Sequence, residues 1–290
     1  MKKKKISLVL GSGGARGYAH IGAIEEIEKH FEIIAISGAS MGALIGGLYA
    51  AGKLDEYKEW VLGLDAFDVM KLLDFSFDKR GLVGGERVKR KLRQILGNVN
   101  IEDLPYSYTA VATDLKKHRE VWFQKGDLLE AIRASIAIPS FFTPVEKDGM
   151  LLVDGGVLNP LPVAPTMSSP SDLTIAVSLL GEGESLSVRI PDEIIQRESR
   201  LETIAKDVME KTRKIFEDKQ DEYHLFDIVD MAIETMQKTL SNYRLGGYPP
   251  DILIEIPQSI AGTLDFHKAY EIIEIGREET KKMLRKIKKS

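Results

Sequence analysis

The stretch that decides the fold is IIAISGASMGALIGGLYAAG, residues 33–52. Its first four residues are apolar, as in a strand that is buried on both faces of a parallel sheet. The small and apolar residues from Met41 to Ala51 predict a helix that ends at Gly52. Between them, Ser37–Gly42 predicts a tight turn. A buried strand, a tight turn and a helix in this order form the repeating unit of a parallel α/β sheet.

The same pattern extends in both directions from this stretch. Upstream, Ile6–Leu10 predicts a buried strand, and a glycine-rich turn leads from it into a helix. Downstream, the predicted elements are a helix over Val88–Leu96, a strand pair at Tyr108–Thr113 and Glu120–Gln124, a helix capped by Asp127 with Glu130, and strands at Leu151–Val153 and Leu173–Leu179. We therefore expect a mostly parallel sheet with right-handed crossovers.

From Gly181 onwards the composition changes. A Gly/Ser/Glu-rich segment leads into two charged amphipathic helices, predicted around residues 201–216 and 225–240. Strand character returns at Asp251–Ile256, and a last helix is predicted over Phe266–Ile287. We expect one α/β domain over 1–290, with core motifs in 5–180, a charged helical insertion at 181–249 and a final strand and helix in 250–290.

Composition excludes several classes of protein. Lys and Arg number 40 and Asp and Glu 44, for a net charge of −4, so we expect no nucleic-acid partner. The absence of cysteine excludes disulfides, thiolate metal sites and cysteine nucleophiles. Neither a metal nor a cofactor is predicted. The apolar run Ile6–Leu10 is shorter than the roughly 7–15 residues of a signal-peptide core, and Met41–Ala51 is shorter than the ~20 residues of a membrane span. We expect a cytoplasmic protein, for which peripheral contact with a membrane surface stays open.

The turn Gly38-Ala39-Ser40-Met41-Gly42 is a G-x-S-x-G sequence between the predicted strand and helix. A serine on such a turn is strained and exposes its Oγ above the sheet, and the glycines at both ends remove Cβ atoms that would clash. The positive end of the following helix favours negative charge at this point. Ser40 is therefore a candidate nucleophile. The alternative is that its side chain merely caps the helix.

A nucleophilic serine needs a base, and the histidines do not provide a convincing one. In the common α/β-hydrolase order the acid follows the serine and the histidine comes last. The five histidines are His20, His30, His118, His224 and His267, and each is better explained as structural or solvated.

Asp154 is the stronger candidate for the base. It ends a short apolar strand, where a parallel sheet places its ligand crevice, and Gly155-Gly156 leave room beside it. A carboxylate there can take the Ser40 proton directly if burial raises its pKa. The alternative is an ordinary Asp-Gly-Gly turn in which Asp154 bonds its own backbone.

A glycine-rich turn, Gly11-Ser12-Gly13-Gly14-Ala15-Arg16-Gly17, follows the first strand. Backbone N–H groups in such a turn converge on an anion, either the oxyanion of acyl transfer or a dinucleotide phosphate. A dinucleotide site requires an acidic residue at the end of the second strand. Ser37-Gly38-Ala39-Ser40 stands there instead, so the dinucleotide interpretation fails.

Taken together, these three motifs resemble the patatin-like phospholipase family. Gly13–Gly17 looks like its oxyanion-hole motif, Gly38–Gly42 like its nucleophile elbow and Asp154-Gly155-Gly156 like its catalytic Asp-Gly-Gly. The stretch RASIAIP, residues 133–139, is also similar to bacterial members, and the resemblance covers roughly residues 5–180. One departure is Ser12, where the family loop often begins with glycine.

The resemblance implies a fold and a mechanism. The fold would be a three-layer α/β/α domain with a mostly parallel central sheet. The mechanism would use a Ser40–Asp154 dyad without histidine, backbone N–H groups near Gly13, Gly14 and Ala15 as the oxyanion hole, and Arg16 to shape the loop. Supporting positions would be Gly11, Gly17, Gly38, Gly42, Gly155 and Gly156.

The resemblance also implies a lipid or acyl-ester substrate for a phospholipase- or lysophospholipase-like hydrolase. Two alternatives stay open: an esterase or thioesterase for small soluble substrates, and a non-enzymatic regulatory protein on the same scaffold. The apolar segment Leu64–Phe77 is either a lid or acyl groove or an ordinary packed helix. The basic tail Lys281–Lys289 either contacts anionic lipid or is a solvated helix end.

Overall fold

The structure is a computed structural model that describes residues 3–72, 75–78, 81–83, 85–139, 141–184, 186–191, 194 and 225–287. Its strands are β1 (Lys4–Leu10), β2 (Phe31–Ala39), β3 (Phe75–Asp78), β4 (Gly81–Val83), β5 (Ser107–Asp114), β6 (Arg119–Phe123), β7 (Val145–Lys147), β8 (Met150–Asp154), β9 (Leu173–Gly181) and β10 (Ile252–Pro257). Its α-helices are α1 (Ala19–Ile27), α2 (Met41–Ala50), α3 (Leu54–Leu62), α4 (Ala66–Leu72), α5 (Glu86–Leu96), α6 (Leu128–Ser135), α7 (Leu225–Gly247) and α8 (Ala269–Ile287).

A central sheet organises these elements. Its strands follow the order β10-β9-β1-β2-β5-β8-β7, and β6 also pairs with β5. The five strands from β10 to β5 are parallel, whereas β6, β7 and β8 join one end of the sheet through antiparallel pairs. The sheet is therefore mostly parallel, as the sequence predicts.

Alternating side chains of the central strands pack into two apolar layers, one on each face of the sheet. Leu8 and Leu10 of β1 lie in the large core with residues of α1, α2, α6 and α8. Val9 points to the opposite face, where it packs with Leu161 and with Leu245 of α7. Because successive side chains of a strand point to opposite faces, the apolar end of β1, Leu8–Leu10, requires cover on both faces of the sheet. The result is a three-layer α/β/α fold.

The positions of two strand ends matter most for the site. Ala39, at the end of β2, lies opposite Val111 of β5, and Asp154, at the end of β8, lies opposite the next residue, Ala112. Since β6 occupies one edge of this part of β5, β2 and β8 share the other edge. They approach one another end to end, so the residues that follow β2 and finish β8 meet.

Most predicted elements are confirmed within one to three residues at their ends. Three features were not predicted: the helix α3, the small β3–β4 hairpin and the short strand β7. The helix α4 lies within Leu64–Phe77, for which a packed helix was one of the two alternatives. The helix predicted around residues 201–216 lies outside the described residues. β10 pairs in parallel with β9, so the chain returns to the sheet after α7. The division into a core and a 181–249 insertion stays a prediction.

Candidate active site

Ser40 occupies a strained turn between β2 and α2. Its backbone has φ 55° and ψ −127°, a left-handed region that non-glycine residues rarely adopt. A Cβ on Gly42 would lie 2.1 Å from the Leu10 carbonyl oxygen, and one on Gly38 would lie 2.4 Å from the carbonyl carbon of Gly42. Only glycine fits at either position. The spacing of the G-x-S-x-G sequence is thus a steric requirement of the turn.

The Ser40 side chain does not cap α2. Its Oγ instead donates to Asp154 Oδ2 at 2.5 Å, and both side chains are buried. The second carboxyl oxygen, Oδ1, accepts the Gly156 N–H at 2.7 Å. The backbone bond of the Asp-Gly-Gly turn and the contact with Ser40 therefore coexist, each on one oxygen of the same carboxyl group.

Burial raises the pKa of Asp154 from 3.8 to about 7, although the hydrogen bonds from Ser40 and Gly156 lower it. The cause is desolvation, which penalises the charged carboxylate more than the neutral acid. A carboxyl group with a pKa near neutrality exchanges protons efficiently at physiological pH. Asp154 thus has both the position and the pKa of a general base.

The histidines stay apart from this pair in the described part of the chain. His20 is buried, and its Nε2 lies 2.8 Å from the Gly11 carbonyl oxygen. Burial lowers its pKa to about 4, so the ring is neutral and Nε2 donates to the carbonyl. His30 approaches Glu26, and His267 lies in a short 3₁₀ turn. His118 lies in the β5–β6 hairpin, and His224 is outside the described residues.

Ser135 supports the strained turn, a contact that no sequence pattern indicated. Its Oγ accepts the Ser40 N–H at 3.0 Å and donates to the Val111 carbonyl oxygen at 2.6 Å. The hydroxyl is fully buried at the end of α6. It therefore pairs a backbone N–H that the unusual geometry of Ser40 removes from the regular ladder.

In the glycine loop between β1 and α1, some backbone amides donate hydrogen bonds within the protein and others have no acceptor there. The Gly11, Ser12 and Ala15 amides donate to the carbonyl oxygens of Val177, Pro160 and Thr263. Among the hydrogen bonds of the described residues, the amides of Gly13 and Gly14 have no acceptor. Both residues line a recess with Ser40. The candidate oxyanion donors thus narrow to Gly13 and Gly14, since the Ala15 amide already has a partner.

The remaining predicted glycines allow close packing around the pair. A Cβ on Gly155 would lie 2.0 Å from the Val111 carbonyl oxygen, and one on Gly17 would lie 2.2 Å from the Met41 Cβ. Gly155 thereby lets β8 end against β5, and Gly17 lets the loop approach α2. Gly156 supplies the amide that holds Asp154 Oδ1.

Arg16 is the charged group of the loop, and its ion-pair partner comes from α7. Its guanidinium donates to the carbonyl oxygens of Gly13 and Gln258 and to the carboxylate of Glu234. The same carboxylate accepts from the side chains of Gln258 and Thr263. Arg16 thus bonds the backbone of its own loop, and α7 supplies its counter-ion.

Two recesses meet at Ser40. The first, the apolar recess, holds about 650 Å³ of empty space including its open mouth, and its lining is mainly hydrophobic. Leu44, Trp60, Val88 and Leu92 of α2 to α5 line it together with residues of other segments, such as Ile136 and Phe142. Leu64, Val69 and Leu72 also line it, so part of the Leu64–Phe77 segment borders the site. The side chains of Phe75 and Phe77 lie outside the described residues. The second, the polar recess, contains Asp154, Arg16 and Glu234.

Comparison with known proteins places this geometry in a family. A sequence profile described as "Patatin-like phospholipase" matches residues 8–167, more than half of the chain. The match spans the glycine loop, the Ser40 turn and Asp154. The chain belongs to the patatin-like phospholipase family. Membership supports lipid acyl-ester hydrolysis as the chemistry of the family.

Relatives in the patatin-like phospholipase family differ in how much of their length they share with this chain. The "Uncharacterized NTE family protein Rv1063c" of Mycobacterium tuberculosis is 38% identical over 322 residues, covering 94% of this chain and 89% of that protein. "Neuropathy target esterase sws" of Drosophila persimilis is 34% identical, but over 54% of this chain and 11% of that protein. The crystal structure of VipD from Legionella pneumophila aligns with a TM-score of 0.48 at 16% identity, covering 98% of this chain and 67% of that chain.

Two features are absent from the described residues of this patatin-like chain. None of the helices in that part is both long and apolar enough to cross a bilayer. Within the same residues, no group of three or more acidic or histidine side chains is arranged to hold a metal ion.

Proposed function

We propose that this chain is a serine hydrolase of lipid acyl esters. The observation that carries the proposal is the 2.5 Å contact between Ser40 Oγ and Asp154 Oδ2 at the inner end of an apolar recess. Ser40 attacks the ester carbonyl carbon while Asp154 takes its proton. The amides of Gly13 and Gly14 stabilise the oxyanion, and removal of one such donor typically costs about 10²–10³ in rate.

The second half of the reaction uses the same groups. Asp154 returns the proton to the departing alcohol, which leaves an acyl ester on Ser40. A water molecule then attacks the carbonyl carbon of this ester while Asp154 accepts a proton from the water. Asp154 gives that proton to Ser40 Oγ as the ester bond breaks, and the fatty acid leaves. A pKa near 7 suits a group that must both accept and donate a proton in one cycle.

The apolar recess favours a long acyl chain over a small soluble substrate. Val88 of α5 borders it, and Arg90 lies on the exposed face of the same helix. Val88→Trp should fill the recess and lower kcat/KM for dodecanoyl p-nitrophenyl ester by about tenfold or more, because several buried methylenes lose their contacts. Butyryl ester should be hydrolysed as before.

Arg90→Trp is the matched control, since it adds the same indole outside the recess. Its ratio of dodecanoyl to butyryl turnover should equal that of the wild type. An unchanged ratio in Val88→Trp would refute the acyl-chain assignment. Failure of the wild type to hydrolyse either ester would refute the hydrolase proposal as a whole.

We propose that α4 mediates peripheral membrane contact. Phe67 and Met70 are each 51% exposed, whereas Val69 and Leu72 of the same helix line the apolar recess. The exposed pair therefore lies on the same short helix that borders the apolar recess. The basic tail is the weaker candidate, because Lys281 and Lys282 pair with glutamates on their own helix.

Replacing both Phe67 and Met70 by serine should reduce cosedimentation with phosphatidylglycerol vesicles by about fivefold or more, since both side chains are half exposed in the free protein and would bury this remaining apolar surface in the bilayer. Met167→Ser removes a similarly exposed apolar side chain elsewhere and should leave binding unchanged. Equal binding by the double variant and the wild type would exclude α4 as the contact.

A further inference from the structure

The polar recess contains a hydroxyl group that the fold itself does not use. Ser12 is 2% exposed, and its Oγ has no hydrogen-bond partner among the described residues. A buried hydroxyl without a hydrogen-bond partner destabilises the fold, because its desolvation is not compensated. This hydroxyl is therefore available to a ligand that enters the recess.

A second polar side chain, that of Gln237 on α7, lies near Ser12. A Cβ on Gly156 would lie 2.7 Å from Ser12 Oγ and 2.7 Å from Nε2 of Gln237 on α7. The two polar atoms therefore approach one another across the bare Cα of Gly156. Both residues line the recess together with Ser40 and Asp154.

The charged groups of the recess are already paired. The guanidinium of Arg16 bonds the carboxylate of Glu234, which also accepts from Gln258 and Thr263. With Asp154, the recess contains two carboxyl groups and one guanidinium. This balance disfavours an anionic group such as a phosphate, while the Ser12 hydroxyl and the Gln237 carboxamide offer neutral donors and acceptors.

An ester bound for attack by Ser40 extends in two directions from its carbonyl carbon. If the acyl chain lies in the apolar recess, the alcohol half must leave by the other side, and the polar recess opens there. We propose that the polar recess binds the alcohol half of the substrate and that Ser12 and Gln237 select a neutral polyol, of which glycerol is the simplest. This inference rests on the proposed lipid-ester hydrolase function.

The test compares two esters that share one acyl chain. Monooctanoylglycerol carries two free hydroxyl groups on its alcohol half, whereas methyl octanoate carries none. The wild type should favour the glycerol ester in kcat/KM, and Gln237→Leu and Ser12→Ala should each lower that preference by about three- to tenfold, the effect of one lost neutral hydrogen bond. Lys238→Ala is the matched control, because Lys238 is the next residue of α7 and pairs with the exposed Glu182. Its preference should equal that of the wild type.

Equilibrium binding to Ser40→Ala protein gives a second readout that needs no turnover. There, too, monooctanoylglycerol should bind more tightly than methyl octanoate, and adding Gln237→Leu should remove the difference. Hydrolysis of both esters with an unchanged preference in both variants would overturn the polyol assignment and leave the hydrolase proposal intact. Selective binding without hydrolysis by the wild type would refute the hydrolase proposal and retain the polyol site.

Discussion

Ser40→Ala is expected to lower kcat/KM for octanoyl esters by at least about 10⁴-fold, because it removes the attacking oxygen and leaves only the binding site and the oxyanion donors. The variant should fold normally, since the Ser40 side chain makes no capping bond to α2. Ester hydrolysis followed at several enzyme concentrations measures the loss. Ser168→Ala, which alters an exposed serine, is the control and should retain full activity.

A second substitution separates chemistry from backbone strain at the same position. Ser40→Gly also lacks the nucleophile, but glycine adopts a φ of 55° without the steric cost that alanine pays. We expect Ser40→Gly to unfold at a higher temperature than Ser40→Ala, by the equivalent of roughly 1 kcal/mol. Substantial hydrolysis by either variant would exclude Ser40 as the nucleophile.

Asp154→Asn is expected to lower kcat/KM by about 10³-fold or more, because the amide keeps the shape of the carboxyl group but cannot accept the Ser40 proton. No described histidine contacts either member of the pair, so no second base is at hand to replace it. Normal turnover in this variant would refute the proposed role of Asp154.

The same substitution should stabilise the fold above neutral pH. The folded-state pKa of Asp154, about 7, lies above its ordinary value of 3.8, so the folded protein holds this proton more tightly than the unfolded chain. The neutral form of Asp154 contributes fully to the free energy of unfolding below about pH 4. This contribution decreases as the pH rises from about 4 to about 7, by a total on the order of 4 kcal/mol. The midpoint temperature of thermal unfolding should therefore be higher for Asp154→Asn than for the wild type at about pH 8. The difference between the two midpoints should be smaller at about pH 5.

The local parts of the site could be predicted from the sequence because their causes are local. Contacts within one turn and with the neighbouring strand require glycine at positions 38 and 42. Such a local requirement appears in the sequence as a fixed spacing between the two glycines. Asp154 was found in the same way, as an acidic residue at the end of a short apolar strand. The predicted strand boundaries followed from continuous apolar runs, which mark strands covered on both faces.

The long-range parts could not be predicted in this way. Glu234 lies 218 residues from Arg16, and nothing in the composition of α7 distinguishes it from other charged residues on that helix. Ser135 acts on Ser40 through its position at the end of α6, 95 residues away. The hydrogen bond from the Ala15 amide to the Thr263 carbonyl oxygen likewise depends on how the segment after β10 folds back over the loop.

In the proposed mechanism Asp154 activates Ser40 without a third residue, and the pH dependence of covalent labelling is a sharp test of this role. A fluorophosphonate should modify Ser40, located by peptide mass spectrometry, with a second-order rate that rises roughly a hundredfold between about pH 5 and pH 8 along a single ionisation near 7. In Asp154→Asn the labelling should be slow and should lack this ionisation. Labelling of another residue, or the same ionisation with full reactivity in Asp154→Asn, would contradict the account.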